Sequence, residues 1–451
     1  MQTNSKRYDM MTKTPIPQLI LKLAVPTIIS MLVTGIYNTA DTFFVGKIST
    51  EATAAVGLVF TVMALIQATG FFCGHGSGNY LSRMLGAGKY KEANEMASTG
   101  FALAIILGVL IALIGNIFVD DIAMMIGSTT TTLEDTRKYM RIILIGAPFM
   151  TGQFVINNQL RFQGSAVYAM IGLMCGAVMN MGLDPLLIFV FHLGVSGAAI
   201  ATIMGQLTSF IVLLIGSRKG ENIKLSFKDI RLDSYYLKEI SNGGAPSLFR
   251  QGLAAIASLL MNKAAGTYGG DAAIAGMSVN TRVMMMMSSA LIGFGQGYQP
   301  VCSFNYGANL KNRVKEGYFF CVKYATVFLC LVGGICFIFA PSIISFFRDD
   351  PDVIAVGTVA LKWTSATIPL SGCIVMTNMM LQSIGKGFKA SIMASCRNGI
   401  FFIPLIIILP GIFGLFGVEI TQAVADMFSL LVSIPLAYSE LKNFKDNSLV
   451  I

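Results

Sequence analysis

Asp41 and Asp184 are the residues of this chain best placed to do chemistry. Asp41 closes the stretch Tyr37-Asn38-Thr39-Ala40-Asp41, after an apolar run over 19–36 with no charge beyond Lys22. Asp184 sits in a similar setting, Met179-Asn180-Met181-Gly182-Leu183-Asp184-Pro185. A carboxylate that a helix carries into a bilayer costs roughly 2.5–3.5 kcal/mol near the centre and less toward the interface. Desolvation disfavours its charged form, a second carboxylate nearby adds to that, and a bound cation offsets both. Such a pair is suited to loading a proton or an alkali ion and releasing it when its surroundings change. A static, hydrogen-bonded acid pair is the plainer alternative.

Four bases also fall within apolar stretches: Arg250, Lys263, Arg282 and Arg397. Singly, each is expected to snorkel or to pair with a carbonyl or with Asp426. Together they suggest a positive wall on which Arg250 and Arg282 can fork onto a carboxylate or phosphate. The run Met284 to Met287, in a chain with 27 methionines, reads first as lipid-facing or core filler. Its second reading is a deformable apolar binding wall. Gly74-His75-Gly76-Ser77-Gly78 has no strand before it and no G-K-[ST] after it, so it reads as close helix packing and not as a phosphate loop. His75 has no partners at metal-ligand spacing, and packing or cavity lining is expected of it.

The elements that must position these groups follow from composition. Hydrophobic residues make up 54% of the chain and charged residues 12%, with a mean hydropathy of +0.69, which marks a polytopic membrane protein. The formal charge of +9 is spread over short loops with no continuous basic stripe, which argues against nucleic acid as a partner. Eight cysteines without a C-x-x-C pair and only two histidines argue against disulfides and zinc. The first apolar run lacks a convincing small-residue cleavage site and reads as a retained helix.

Twelve segments reach the length of about 20 residues that a spanning helix needs. They cover 17–46, 54–82, 93–118, 134–158, 164–191, 195–217, 239–267, 272–304, 316–345, 354–381, 388–411 and 414–438. The runs are too long for barrel strands and lack period-2 alternation. Loop bases such as Arg83, Lys89, Arg161, Arg218, Lys238, Lys311, Arg313, Lys386, Lys442 and Lys445 fall on one side, and acids such as Asp120, Asp121, Glu134, Asp271, Asp349 and Asp350 on the other. The positive-inside rule makes the first side the cytoplasm, holding both termini of a multi-pass plasma-membrane protein.

The longest loop divides the segments six and six, giving lobes at 1–216 and 239–451 and a cytoplasmic linker at 217–238. The halves repeat in register: Pro26 matches Pro246, the triplet Gly74, Gly76, Gly78 matches Gly293, Gly295, Gly297, and Gly164 matches Gly385, at offsets of 219 to 221. Six spans per half mean that both repeats enter the membrane in the same direction, related by a pseudo-two-fold axis near the membrane normal. The expected fold is an all-α bundle of twelve transmembrane helices in two lobes with a cavity between them.

Asp41-Thr42-Phe43-Phe44-Val45-Gly46, the stretch Asn180 to Pro185, Gly293-Phe294-Gly295-Gln296-Gly297-Tyr298-Gln299-Pro300 and Asn305-Tyr306-Gly307-Ala308 resemble the bacterial multidrug and toxic compound extrusion (MATE) transporters. The resemblance runs over essentially the whole chain. It implies an antiporter, not an enzyme, that expels organic compounds by alternating access, driven by inward protons or sodium. It also implies a coupling site at Asp41, Asn180, Asp184 and Thr202, with Tyr37 and Tyr139 as neighbours and sodium as one candidate occupant. The spacing agrees: Tyr37 and Asp41, Asn180 and Asp184, and Ala198 and Thr202 are each one helical turn apart and share a face. Pro26 and Pro185 interrupt backbone hydrogen bonds and are expected to act as hinges.

The second repeat places Met261 or Asn262 at the Asp41 position and Ile403 at the Asp184 position, so one coupling site is expected. The four bases argue for an anionic or zwitterionic group on the substrate, its apolar body resting on methionine and phenylalanine. A lipid-linked-precursor flippase of a related superfamily would also carry cavity bases, but with more spans. An intramembrane aspartyl protease would need glycine-flanked acid motifs, which are missing. No ATP-binding motif is present. The remaining expectations are a monomer, a small organic substrate, membrane lipid as surroundings and no cofactor.

Overall fold

The computed structural model describes residues 3–219 and 222–444. The ends of the two lobe ranges, part of the linker range, and Lys445 lie outside the described residues. An opening helix α1 (Thr3–Lys13) precedes α2 (Ile16–Gly46), α3 (Thr50–Gly86), α4 (Tyr90–Ile117), α5 (Val119–Met125), α6 (Leu133–Phe162), α7 (Ala166–Pro185) and α8 (Gly194–Arg218). The second half comprises α9 (Ser234–Gly307), α10 (Lys311–Ile338), α11 (Ala340–Phe347), α12 (Pro351–Thr367), α13 (Leu370–Ser383), α14 (Gly387–Ser395), α15 (Phe402–Phe413) and α16 (Leu415–Leu441). The fold is all-α, as a chain that must satisfy its backbone inside a bilayer requires.

Helix starts follow their caps. Ser49 accepts from the Ala52 amide, Asp233 from Tyr235 and Tyr236, and Asp350 from Asp352 and Val353. Among the described residues, nine helices are long and apolar enough to cross a membrane, and α12 with α13, bent by 56°, gives a tenth span. The seventh and eighth segments lie in α9, whose two arms meet at Gly270. Its φ of 64° and ψ of −158° suit a residue without Cβ. These arms carry Arg250, Lys263 and Arg282 and a run of Gln and Gly, and α9 is not among the nine helices that pass on length and apolarity.

Helices α2 to α8 pack on one another, as do α9 to α16, and the two bundles meet chiefly through α3 and α2 against α9. The meeting is confined to one end. There Gly76 lies against Ile240 and Gly243, Gly86 against Phe304, Gly307 against Arg83, and Gly297 against Ala24, so closely that no side chain fits between the backbones. The glycine triplets of both repeats are thus contact surfaces, Gly74 and Gly78 seating Asn158 and Phe162 within the first bundle. Polar bonds cross the same seam. Ser303 donates to Asn79 at 3.1 Å, Ser82 to the Pro300 carbonyl at 3.3 Å, and Arg83 to the Ser383 carbonyl at 3.1 Å.

The sealed end also holds the opening helix and the linker. Arg313 donates to the Thr14 carbonyl at 2.6 Å, and the Arg231 amide to the Thr99 hydroxyl at 2.8 Å. Away from this end, residues of α2, α3 and α9 are open. A Cβ at Gly46, Gly57 or Gly252 would meet nothing within 4 Å, and Ile36, Leu259 and Met286 are 61%, 71% and 66% exposed.

Two of the breaks in the helical pattern are π turns, Leu186–Val190 after Pro185 and Cys396–Ile400 between α14 and α15. Pro26 leaves α2 unbroken. Arg161, which reads in the sequence as a loop base, is 4% exposed inside the last turn of α6, at the seam.

Candidate functional site

Four helices of the first bundle bring the sequence-predicted site residues together: α2 supplies Tyr37 and Asp41, α6 Tyr139, α7 Asn180 and Asp184, and α8 Thr202. Helices α7 and α8 meet through glycine. A Cβ on Gly176 would lie 2.7 Å from the Gly205 carbonyl oxygen, and one on Gly205 would lie 2.8 Å from the Asn180 Cβ. That approach lets the Asn180 amide reach the Thr202 hydroxyl at 3.5 Å. From the next turn of α8, Gln206 reaches the Tyr37 hydroxyl, also at 3.5 Å. Ala198 is fully buried and offers packing alone.

Asp184 and Tyr139 are fully buried, Asn180 and Thr202 are each 2% exposed, and Asp41 is half-buried. Asp41 and Asp184 interact electrostatically with each other and with the hydroxyls of Tyr37 and Tyr139. Tyr139 faces Thr202 without reaching hydrogen-bond geometry. Many oxygens here have no partner: both of Asp184, Oδ1 of Asp41, Oδ1 of Asn180, Oε1 of Gln206 and the Tyr139 hydroxyl. An unmade hydrogen bond on a buried polar group costs about 1–3 kcal/mol, more when the group is charged. Converging acceptors of this kind suit a proton shared with a carboxylate or a hard cation held by oxygen alone. Among the described residues no three His, Cys, Asp or Glu side chains gather as they would for a transition metal.

Gln206 is the member that the sequence reading missed. Its signal was present, because 198, 202 and 206 follow one another at a turn's spacing on one face of α8. Pro185 and the π turn behind it open the backbone directly beside Asp184.

Gly205→Val is expected to push α7 from α8, displacing Asn180 and lowering ion-dependent activity about tenfold or more. The same change should cost about 1–3 kcal/mol of stability. The check is transport at matched expression together with thermal unfolding of the purified variant.

The bases of the second bundle do not form one wall. Arg397 binds Asp426 through two bonds, Nε to Oδ1 at 2.8 Å and a terminal nitrogen to Oδ2 at 3.3 Å, while Gln422 donates to the same carboxylate at 3.0 Å. Lys263 and Arg282 are exposed. Arg250 is half-buried at the seam and donates to the Asn378 side chain at 3.3 Å. Met287 belongs to the core, Met284 packs against it, and Met285 and Met286 are 60% and 66% exposed. Met261 sits in an apolar cluster, so no acid pair mirrors that of the first bundle.

Known proteins share this architecture. The chain is 29% identical over 426 residues to the multidrug export protein MepA of Staphylococcus haemolyticus, covering 93% of each. A solved outward-facing multidrug resistance MATE family transporter of the MOP superfamily superposes with a TM-score of 0.91 at 26% identity, over 98% of this chain and 99% of that one. A MOP superfamily transporter from Pyrococcus furiosus, for which a reversed polarity of the binding pocket is described, has the same TM-score and identity, over 97% and 98%. The MatE family model matches residues 26–186 and 246–408, beginning at the two prolines that the internal repeat aligns, and the chain belongs to that family of membrane transporters.

Proposed function

We propose that this protein is an antiporter that exports organic compounds from the cell, driven by protons or sodium ions entering at Asp41, Asn180, Asp184 and Thr202. The observation that carries the reading is the set of unpartnered oxygens from α2, α6, α7 and α8 around two membrane-buried carboxylates. An ion moving inward supplies about 2.3 kcal/mol per charge per 100 mV, so one ion per cycle is a useful drive. The name of the staphylococcal relative supports multidrug export. By the positive-inside rule the sealed end, with the opening helix and the linker, faces the cytoplasm. The cavity then opens outward, and alternating access requires the glycine seam to part and the opposite end to close. The protein works as a monomer in the plasma membrane with both termini inside, and Pro26 and Pro185 serve as bending points.

Vesicles with imposed pH or sodium gradients test the drive. Export should follow one of the two gradients and vanish when both are collapsed. In purified protein, sodium at the site competes with protons for the same carboxylates, so sodium-dependent thermal stabilisation should grow as pH rises and be absent in Asp41→Asn. Export indifferent to both gradients would refute the coupling.

A further inference from the structure

Arg161 and Arg250 stand on opposite sides of the seam, both within electrostatic reach of His75, and among the described residues neither forms an ion pair with a carboxylate. Arg161 is held by neutral groups only, Gln296 across the seam and Asn158 on its own helix, and its Nε has no partner. Arg250 makes its one side-chain bond to Asn378. His75 bonds the Ser247 hydroxyl through Nδ1 at 2.8 Å and leaves Nε2 unpartnered. Guanidinium stays charged at any physiological pH, and burying Arg161 with Arg250 half-buried beyond it, neither with a countercharge, is costly unless an anion compensates at some stage of the cycle.

We infer that Arg161 and Arg250 bind an anionic oxyacid group, carboxylate or phosphate, on the transported compound, with Gln296 and Asn378 as neutral gates on the two guanidiniums. The site deepens the export reading and rests on it. Half of it comes from the first bundle, and Lys263, Arg282 and the paired Arg397 take no part. Phe71 stacks on His75 with centroids 5.1 Å apart and meets Phe154 in a tilted contact at the same distance, giving an apolar shelf beside the charge for the rest of the molecule.

The arrangement also explains release. The Arg161–Gln296 bond joins α6 to α9, so parting of the lobes at this end strips Gln296 from Arg161 and bares a planar fork toward the cytoplasm. When the seam closes, Gln296 returns and competes with the bound anion for the same donors. The anion keeps only its hold on Arg250, which is half-buried, and leaves outward.

A matched pair of dyes tests this: a rhodamine with a free carboxylate and its methyl ester, which differ only in the anion. Wild-type vesicles should export both, and Arg250→Gln should lower the ratio of carboxylate to ester export about tenfold, with Arg250→Lys in between because lysine holds the anion as a point charge. Purified wild type should be stabilised more by the carboxylate dye than by the ester, and Arg250→Gln should lose that difference. An unchanged ratio in Arg250→Gln, or export of the ester alone by wild type, removes the anion site and leaves the export reading standing. Export of neither dye by wild type overturns the site together with that reading.

Discussion

Asp41→Asn and Asp184→Asn are each expected to abolish gradient-coupled export, by about 100-fold or more, while the protein remains folded and in the membrane. The reason is the imbalance at the site. Asp184 is fully buried with neither oxygen partnered, and Asn180 and Gln206 add unpartnered carbonyl oxygens rather than donors. Among the described residues no base pairs with either acid to compensate a charge there. If the acids served only structure, replacing them with a neutral isostere would remove a buried charge and leave stability equal or higher. Stability should therefore hold or rise in both variants while coupling disappears, a split that a structural role does not produce. Efflux at the wild-type rate in either variant, at matched expression, would refute the role assigned to that residue.

Thr202→Ala should do less than either, because a hydroxyl supplies one neutral oxygen and Asn180 and Gln206 remain. The ordering of the three variants separates charge from ligand count.

Much of this was legible in the residues. Apolar run length gives the spans, since a helix crossing the hydrocarbon has to be long and nearly uncharged. The in-register glycines and prolines give the repeat, because glycine is kept wherever two backbones touch, as Gly86 and Gly307 do at the seam. The acids stand out because a charge among apolar neighbours has no cheap explanation. What escaped the sequence is what depends on which helices become neighbours. Arg161 looked like a loop base because it lies one residue from the end of its helix, and only the approach of α9 encloses it. Asp426 was legible as a partner open to any of the four bases, and that Arg397 is the one that takes it depends on the packing of α16 against the π turn at Cys396–Ile400. Gln206 passed unnoticed because its spacing from Ala198 and Thr202 marks only a shared face of α8, and that Tyr37 stands opposite this face depends on the fold.

The second large effect concerns the seam itself. Gly86→Val and Gly307→Val should each cut export about 10- to 100-fold without unfolding either lobe. A Cβ at Gly86 would run into the Phe304 carbonyl, and one at Gly307 into the Arg83 carbonyl, both on the opposite bundle. Backbone in a packed helix cannot step aside as a side-chain tip can, so the closed end has to open to admit the new atoms. Overpacking of this sort costs about 1–3 kcal/mol. In the proposed alternating-access cycle the whole cost falls on the conformation sealed at this end, because a parted state would have no contact there to lose. A shift of that size moves a two-state population by roughly 5- to 150-fold, and a cycle that must pass through the sealed state slows accordingly. Gly57→Val is the control, since a Cβ there would meet nothing within 4 Å, and it should transport normally. A cysteine placed at Gln299, 1% exposed in the sealed seam, should become reactive in both seam variants and stay protected in the control. Wild-type export with Gln299 still protected in Gly86→Val would mean that the seam does not close in the working cycle.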